Sequence, residues 1–219
     1  MLEVACGTGQ GLGYLASIAK SVVAGDYTPA LLAKARAHYG SRFRFEQFDA
    51  QQMPFADDSS DVVMILEALY YVPDAHRFFA ECRRVLRPGG VLLICTANKD
   101  LFDFTASPNS FRYLGVVELE AELAKHGFTT QFFGDTPVAK VSARQRVLRP
   151  VKAAASKLGL IPKSMNGKKL LKRLVFGGLV KMPHEIGADT APRIAATPLT
   201  GGTPDREHKV IFCAARLGA

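Results

Sequence analysis

The feature that most constrains this chain is a glycine-rich turn close to its start. The sequence LEVACGTGQG over residues 2–11 places Gly7, Gly9 and Gly11 directly after a short apolar run. Glycine accepts backbone angles that other residues avoid, and the beginning of a helix offers free N–H groups and a partial positive charge. A strand, a tight turn and a helix in this order therefore predict an α/β fold that holds a ligand at the turn.

Short apolar runs alternate with helix-like segments along residues 1–134. The predicted strands cover 2–5, 21–26, 43–49, 61–67, 91–97 and 128–134. The predicted helices cover 10–19, 29–40, 74–86 and 116–127. This alternation favours right-handed βαβ units and a parallel sheet. A seventh strand is predicted over 208–216, after a long excursion of the chain.

The spacing of the glycines distinguishes between classes of nucleotide-binding loop. A dinucleotide fingerprint requires G-x-G-x-x-G, but the third glycine position counted from Gly7 is occupied by Leu12. A P-loop requires a Gly-Lys-Ser/Thr ending, and none follows. Asp26 ends the second predicted strand, where an acid can accept bonds from two ribose hydroxyls. Because NAD enzymes also carry an acid there, Asp26 alone does not decide between the classes.

Four motifs together resemble the class I S-adenosylmethionine-dependent methyltransferases, in the small-molecule group called methyltransferase type 11. The motifs are EVACGTGQG over 3–11, the acid at Asp26, FDAQQMPFADDSSDVVMILEALYYV over 48–72 and RRVLRPGGVLLI over 83–94. The third motif has Met53 and Ser60 where the family usually has Leu and Phe. The resemblance implies an α/β, Rossmann-like sheet of seven mostly parallel strands with an antiparallel last strand, helices on both faces and a helical insertion before the last strand.

The resemblance also implies S-adenosyl-L-methionine as the cofactor and suggests which residues contact it. Gly7 and Gly9 would approach the methionine part, with Glu3 helping to hold its amino group. Asp26 would bind the ribose, and Asp49 would bind the adenine edge. The full set implied to bind the cofactor is Glu3, Ala5, Gly7, Gly9, Asp26, Tyr27, Asp49, Ala50 and Glu67.

Glu67, Tyr70 and Tyr71 directly follow the fourth predicted strand and are the candidate catalytic residues. Ligands of an open parallel sheet lie beyond the carboxyl ends of its strands, so these side chains are expected nearest the methyl donor. Glu67 is interpreted either as a base or as a group that positions the cofactor or caps a helix. The two tyrosines either shape the acceptor pocket or simply pack. His208 is interpreted as structural rather than catalytic, His76 as a solvated surface residue, and no metal site is predicted.

The positive charge of the chain is concentrated in one segment. The formal net charge is +8, yet residues 136–184 contain 12 Lys and Arg and no acid, so the remainder has 16 basic and 20 acidic residues. Residues 143–160 and 168–181 show the pattern of basic amphipathic helices. They are interpreted either as helices with solvated basic faces or as a lid that attracts an anionic acceptor, with docking on an anionic membrane as a variant. Nucleic acid is disfavoured because Phe176 is the single aromatic residue of this segment.

The sequence thus predicts three parts and a cellular location. The parts are a cofactor-binding core over 1–134, a basic helical insertion or lid over 135–207, and a last strand over 208–219 that completes the core. The sequence has no apolar run long enough to span a membrane and no secretory signal, and its four cysteines lack metal-ligand spacing. These features predict a cytoplasmic enzyme and do not indicate its oligomeric state. The segment that begins SARQRVLRPVK resembles extensions of bacterial methyltransferases, which implies a bacterial source.

The predicted activity is transfer of a methyl group to a small-molecule, glycan-linked or lipid-linked acceptor, with oxygen as the expected acceptor atom (EC 2.1.1.-). Two alternatives stay open. The first is a catalytically silent cofactor-binding or scaffold protein, because the family usually has some tens of residues before the glycine turn. A start this close to Gly7 predicts either a trimmed chain or an open site that a partner covers. The second is an NAD-linked oxidoreductase, against which the glycine spacing weighs.

Overall fold

The computed structural model describes residues 1–102, 104–135, 137–138, 150, 154 and 183–218. The predicted basic helices over 143–160 and 168–181 lie outside the described residues, apart from two isolated positions. The predictions of a basic lid, of attraction for an anionic acceptor and of membrane docking concern those helices. The structure therefore bears on the core and on the segments that flank the basic stretch.

Eight strands and four α-helices make up the described part of the chain. The strands are β1 Leu2–Val4, β2 Val23–Asp26, β3 Arg44–Gln47, β4 Ser60–Leu66, β5 Leu86–Ala97, β6 Phe128–Gly134, β7 Thr197–Leu199 and β8 Val210–Leu217. The helices are α1 Leu12–Ile18, α2 Pro29–Tyr39, α3 Ala75–Val85 and α4 Val116–Lys125, with a 3₁₀ turn at Leu69–Tyr71. Pro29 occupies the first position of α2, where its missing N–H costs nothing, and Gly40 closes that helix.

The strands form one mixed sheet in the order β3-β2-β1-β4-β5-β8-β6-β7. The five strands β1 to β5 are parallel to one another, and β8 runs antiparallel between β5 and β6. The predicted Rossmann-like sheet with a reversed last strand is confirmed. Because the chain order changes direction between β1 and β4, a ligand crevice is expected at the carboxyl ends of those two strands.

The sheet differs from the prediction by one additional strand, giving eight in the described residues instead of seven. β7 pairs antiparallel with β6, with Phe132 opposite Leu199, inside the segment predicted as a helical insertion. Its three residues include Pro198, which hides any strand signal in the sequence. Proline is tolerated there because β7 is the edge strand, where an N–H can be missing without breaking a ladder.

Two apolar layers cover the two faces of the sheet. One layer contains Phe78 and Phe79 of α3 with Leu119 and Leu123 of α4. The other contains Leu12, Leu15, Leu32 and Tyr39 of α1 and α2. Each fully buried side chain of this size contributes roughly 1.5–3 kcal/mol, so the helices hold the strand ends at fixed positions. Within the described ranges, no helix has the length and apolar character needed to cross a bilayer.

Candidate active site

A cavity of about 570 Å³ opens at the carboxyl ends of the parallel strands. Its walls come from the residues that follow β1, β2 and β4 and from the loop after β3. The predicted site residues in this lining are Ala5, Gly7, Asp26, Tyr27, Asp49, Ala50, Glu67 and Tyr71. Three predicted residues lie outside the lining, namely Glu3, Gly9 and Tyr70.

The glycine turn has left-handed backbone at three alternate positions. Gly7 has φ +60° and Gly9 has φ +77°, while Ala5 has φ +58° although it has a side chain. A Cβ on Gly9 would lie 2.8 Å from Leu12 Cδ1 and 2.9 Å from Tyr39 Cε2, so no larger residue fits. A Cβ on Gly7 would meet nothing within 4 Å. The turn is therefore packed tightly behind Gly9 and open to a ligand at Gly7.

Asp26 connects the end of β2 to the glycine turn. Its Oδ2 accepts a bond from the Gly7 N–H at 2.8 Å, and its Oδ1 accepts one from the Thr28 N–H at 2.8 Å. The residue is only 7% exposed, but it contributes to the cavity wall. A carboxylate has about four lone-pair sites, so Asp26 can brace the turn and still accept bonds from a diol.

Asp49 is oriented by a residue that sequence reasoning did not identify. The Gln51 N–H donates to Asp49 Oδ1 at 2.8 Å, and the Gln51 side-chain amide donates to both carboxylate oxygens at 3.0 and 3.2 Å. Gln51 Oε1 in turn accepts a bond from the Asp74 N–H at 3.0 Å. This local turn fixes the half-buried carboxylate at the edge of the cavity next to Ala50.

Glu67 directly follows β4 and has the left-handed backbone angle φ +51°. Non-glycine residues in this region cost about 1–3 kcal/mol and cluster at functional sites. The Tyr70 hydroxyl donates to Glu67 Oε2 at 3.1 Å, and the Cys95 thiol donates to Oε1 at 3.5 Å. Burial, followed by the charge of Glu67, raises the pKa of Tyr70, so this phenol stays a neutral donor. Tyr70 thus stands behind Glu67, whereas Tyr71 faces the cavity and is 44% exposed.

Glu3 lies beneath the glycine turn rather than in the cavity wall. It is 5% exposed, and its Oε2 has no hydrogen-bond partner among the described residues. Burial raises the pKa of this carboxyl to about 7. A buried carboxylate without a partner is costly unless it is protonated or meets a positive charge. The orphaned oxygen therefore fits a cationic group brought to the turn, such as the ammonium of an amino-acid ligand.

The outer wall of the cavity is apolar. Leu66, Val72 and Phe111 contribute to it, and Phe111 is 64% exposed. The wall is fixed by two bonds, because the Phe111 N–H donates to Tyr70 O at 2.8 Å and the Tyr71 hydroxyl lies 2.7 Å from Ser107 Oγ. Sequence reasoning did not find Leu66, Val72 or Phe111. Leu66 looks like any strand residue, and Phe111 lies in a loop without a pattern.

The charged residues of this lining are all acidic. Among the described residues they are Asp26, Asp49 and Glu67. In the described ranges, no group of three or more His, Cys, Asp or Glu is arranged to hold a metal ion. His208 lies outside the cavity lining, is buried, and has its Nδ1 3.0 Å from Asp205 Oδ1. This cavity therefore suits a polar, hydroxyl-bearing ligand on the turn side and an apolar one at the rim.

Comparison with known proteins identifies a protein family that the first part of the chain matches. Residues 2–94 match the family model described as Methyltransferase domain. A protein of Mycolicibacterium smegmatis named Probable S-adenosylmethionine-dependent methyltransferase is 35% identical over 152 residues, which are 66% of this chain and 59% of that protein. Phthiotriol/phenolphthiotriol dimycocerosates methyltransferase 1 of Mycobacterium ulcerans is 41% identical over 99 residues, 42% of this chain and 35% of that protein.

The fold is similar to that of solved methyltransferases. A SAM-dependent methyltransferase from Thermotoga maritima superposes with a TM-score of 0.60 at 15% identity, covering 98% of this chain and 80% of that one. At this identity the likeness concerns the fold alone. The chain spans 59% of the length of the Mycolicibacterium relative. The matched residues 2–94 include the turn, both strand-end acids and Glu67.

Proposed function

Because the chain belongs to the class I S-adenosylmethionine-dependent methyltransferases, we propose that it methylates a hydroxyl oxygen on an apolar, lipid-like acceptor (EC 2.1.1.-). One observation carries the proposal. A single cavity combines two strand-end carboxylates, Asp26 and Asp49, with an apolar rim around Glu67. The two carboxylates suit a nucleoside, and the rim suits the body of a hydrophobic acceptor.

The residues on the turn side fit S-adenosyl-L-methionine, which supplies a sulfonium methyl that is already electrophilic. Glu3 would receive the ammonium group, since its Oε2 lacks a partner among the described residues. Asp26 would accept hydrogen bonds from the ribose hydroxyls. It would use the lone pairs of its carboxylate that are not bonded to the Gly7 and Thr28 N–H groups. Asp49, which is held by the Gln51 N–H, would accept a hydrogen bond from the adenine amino group beside Ala50. The chemistry of each donor and acceptor supports this assignment.

Glu67 is the proposed base for the acceptor hydroxyl. Tyr70 and Cys95 each hold one of its oxygens, so the carboxylate is kept in one orientation at the cavity. The hydroxyl proton would pass to Glu67, and the bound cofactor would supply the methyl group, whose bond to sulfur breaks as its bond to the acceptor oxygen forms, leaving a neutral thioether. Positioning the hydroxyl in line supplies much of the barrier reduction, and a base adds on the order of 10²–10⁴-fold. Tyr71 would form part of the wall against the acceptor.

The apolar acceptor is supported by the rim and by one relative. Leu66, Val72 and Phe111 offer no charge, and the charged lining residues described are acidic, which opposes an anionic acceptor at this position. The Mycobacterium ulcerans relative is named for phthiotriol and phenolphthiotriol dimycocerosates. Three further proposals are supported by the sequence alone. They are a glycan-linked acceptor, contact with an anionic membrane through residues 143–181 and a cytoplasmic location.

The division into parts is proposed in the same way. Residues 1–134 and 208–219 would form the core, and residues 135–207 would form an insertion on the acceptor side. Among the described residues, β6 ends at Gly134 and the next strand begins at Thr197, which supports an insertion between β6 and β8. The short strand β7 would then be the part of the insertion that joins the core.

The test is a methyl-transfer assay with separated bacterial extracts. With labelled S-adenosyl-L-methionine, we expect label in an organic-solvent extract of lipids and none in the aqueous fraction. Glu67→Gln should lower kcat at least about 10²-fold while binding S-adenosylhomocysteine normally, and Glu46→Gln on the edge strand should match the unchanged protein. Label confined to the aqueous fraction would refute the lipid-like acceptor, and full activity of Glu67→Gln would refute the base.

The open rim favours a second candidate, a cofactor-binding protein without transferase activity. Tyr27 and Phe111 are both largely exposed at the cavity mouth. A reacting sulfonium group is best kept from water, so an open mouth suits binding better than transfer. Tight binding of S-adenosylhomocysteine with no labelled product from either extract would support this second candidate.

A further inference from the structure

Residues 183–187, here called the return segment, contact the back of the glycine turn. The Gln10 side-chain amide donates to Pro183 O at 2.8 Å, and the Ile186 N–H donates to Gln10 O at 2.8 Å. Gln10 lies between Gly9 and Gly11, so both bonds act on the turn itself. The return segment therefore fixes one residue of the turn through its side chain and its main chain.

Glu185 adds a charged contact to the return segment. Arg42 Nη1 donates to Glu185 Oε2 at 3.0 Å and Arg42 Nη2 donates to Oε1 at 2.9 Å, which is the strong two-bond geometry. His38 Nε2 lies 3.5 Å from the same carboxylate. The Glu185 side chain fills the space above Gly13, where an added Cβ would overlap its Oε1. Gly13 thus provides room that this contact requires.

A second path leads from Glu185 to the same turn. The Arg42 guanidinium lies over the Tyr39 ring, 5.3 Å from its centroid. The buried Tyr39 hydroxyl donates to Gly9 O at 2.7 Å. Burial, followed by the charge of Glu185, raises the pKa of Tyr39, so the phenol keeps its proton for this bond. Glu185, Arg42, Tyr39 and Gly9 form a continuous chain of contacts.

We propose that the return segment is a brace that holds the glycine turn in its cofactor-binding conformation, with Glu185 and Arg42 as positioning residues. This inference rests on the proposed use of S-adenosyl-L-methionine at the turn. Apparent affinity scales with the fraction of molecules whose binding site is correctly formed. An exposed ion pair alone contributes little. Here the residues on either side of Glu185 make two bonds to Gln10, and Arg42 lies over Tyr39, whose hydroxyl is bonded to Gly9. Loosening the ion pair therefore loosens these supports of the turn.

The consequence concerns the segment 135–207. The brace lies within this segment, directly after the residues that lie outside the described ranges. Any event that moves residues 183–187 would therefore change cofactor affinity. The brace would thereby let the return segment regulate the cofactor end of the site, although residues 183–187 are not among the described residues that line the cavity.

The test compares binding of S-adenosylhomocysteine by calorimetry. Glu185→Ala should raise Kd about threefold or more, and Glu185→Gln should give a smaller increase because it keeps one acceptor for Arg42. Glu46→Ala is the matched control, since Glu46 pairs with Arg44 at 2.8 Å on the edge strand β3, away from the turn. Equal Kd values for Glu185→Ala and the unchanged protein would overturn the brace, as would an equal loss in Glu46→Ala.

A double-mutant cycle separates a brace from a general loss of stability. Gly13→Ala should weaken binding because its Cβ displaces Glu185, and it should have no further effect in the Glu185→Ala background. Additive losses would contradict the proposal.

Hydrogen exchange without ligand tests the brace independently of the cofactor. The Gly9 amide donates to Cys6 O and the Leu12 amide to Gly9 O, so both report on the turn. We expect both amides to exchange faster in Glu185→Ala than in Glu46→Ala. If the unchanged protein failed to bind S-adenosylhomocysteine, the proposed function would fail, while unchanged exchange at Gly9 and Leu12 would refute the brace itself.

Discussion

At the scale of single residues, the strand-end acids combine structural and binding roles. Asp26 holds the Gly7 and Thr28 amides, so the residue proposed to bind ribose also shapes the glycine turn. Asp49 is held by Gln51, and Glu67 by Tyr70 and Cys95. Each carboxylate is thus oriented before any ligand arrives, which lowers the entropy that binding must overcome.

Replacing Asp26 should weaken cofactor binding. In Asp26→Asn either the Gly7 or the Thr28 N–H loses its acceptor, and the ribose loses a charged acceptor. We expect the affinity for S-adenosylhomocysteine to fall by about 1–3 kcal/mol, roughly 5- to 150-fold in Kd. Equilibrium dialysis measures the change, with Asp189→Asn at an exposed position as the control. Unaltered affinity of Asp26→Asn would show that ribose is bound elsewhere.

Gly9→Ala should destabilise the fold more than an alanine at another glycine with positive φ. The new Cβ would overlap Leu12 and Tyr39 in addition to straining the backbone. We expect a loss of about 1–3 kcal/mol in the free energy of unfolding, measured in urea. Gly202→Ala is the comparison, because Gly202 has φ +69° but only an ordinary contact at 3.9 Å. Equal losses in both variants would contradict tight packing behind the turn.

At the scale of elements, α3 and α4 are joined by a pair of histidines. His126 Nε2 lies 3.0 Å from His76 Nδ1, and His126 is only 7% exposed. Burial, followed by the nearby His76, lowers the pKa of His126. Glu122 opposes this shift, while Arg83 and Lys125 add to it. Protonation of His126 is therefore more favourable in the unfolded chain than in the folded one.

This pair predicts a stability loss in acid. A histidine whose pKa is lower in the folded protein than in the unfolded chain binds a proton more readily after unfolding. The free energy of unfolding is therefore highest above the ordinary pKa of about 6.5 and falls as the pH falls toward the pKa of the folded state. We expect the free energy of unfolding to fall between pH 7 and pH 5 and the decline to be shallower in His126→Gln. Thermal unfolding across this range measures it, and an identical pH dependence in both proteins would exclude His126 as its source.

Elements also show what the sequence can and cannot predict. β2 and β4 are recognisable because their apolar runs end in Asp26 and Glu67, and the strand-turn-helix pattern locates Gly7. β7 is not recognisable, because Thr197–Leu199 contains a proline and pairs only through the edge of β6. The start of β5 at Leu86 is also hidden, since the strand passes through the Pro-Gly-Gly sequence that looks like a helix stop.

At the scale of the whole molecule, the two halves of the candidate site differ in how far the sequence reveals them. On the cofactor side, Asp26 ends β2, Asp49 lies two positions after β3 and Gly7 lies three positions after β1, so local pattern locates them. The acceptor rim and the turn supports depend on tertiary packing. Tyr39 reaches Gly9 across 30 residues of sequence, and Phe111 comes from a loop. Such contacts have no signature in a single sequence.

The cavity at the carboxyl ends of β1, β2 and β4 is the proposed binding site for S-adenosyl-L-methionine. Calorimetric titration of the chain with S-adenosylhomocysteine and, separately, with NADH distinguishes this cofactor from a nicotinamide dinucleotide. We expect saturable binding of S-adenosylhomocysteine at one site and no measurable heat with NADH. Binding of NADH without binding of S-adenosylhomocysteine would contradict it.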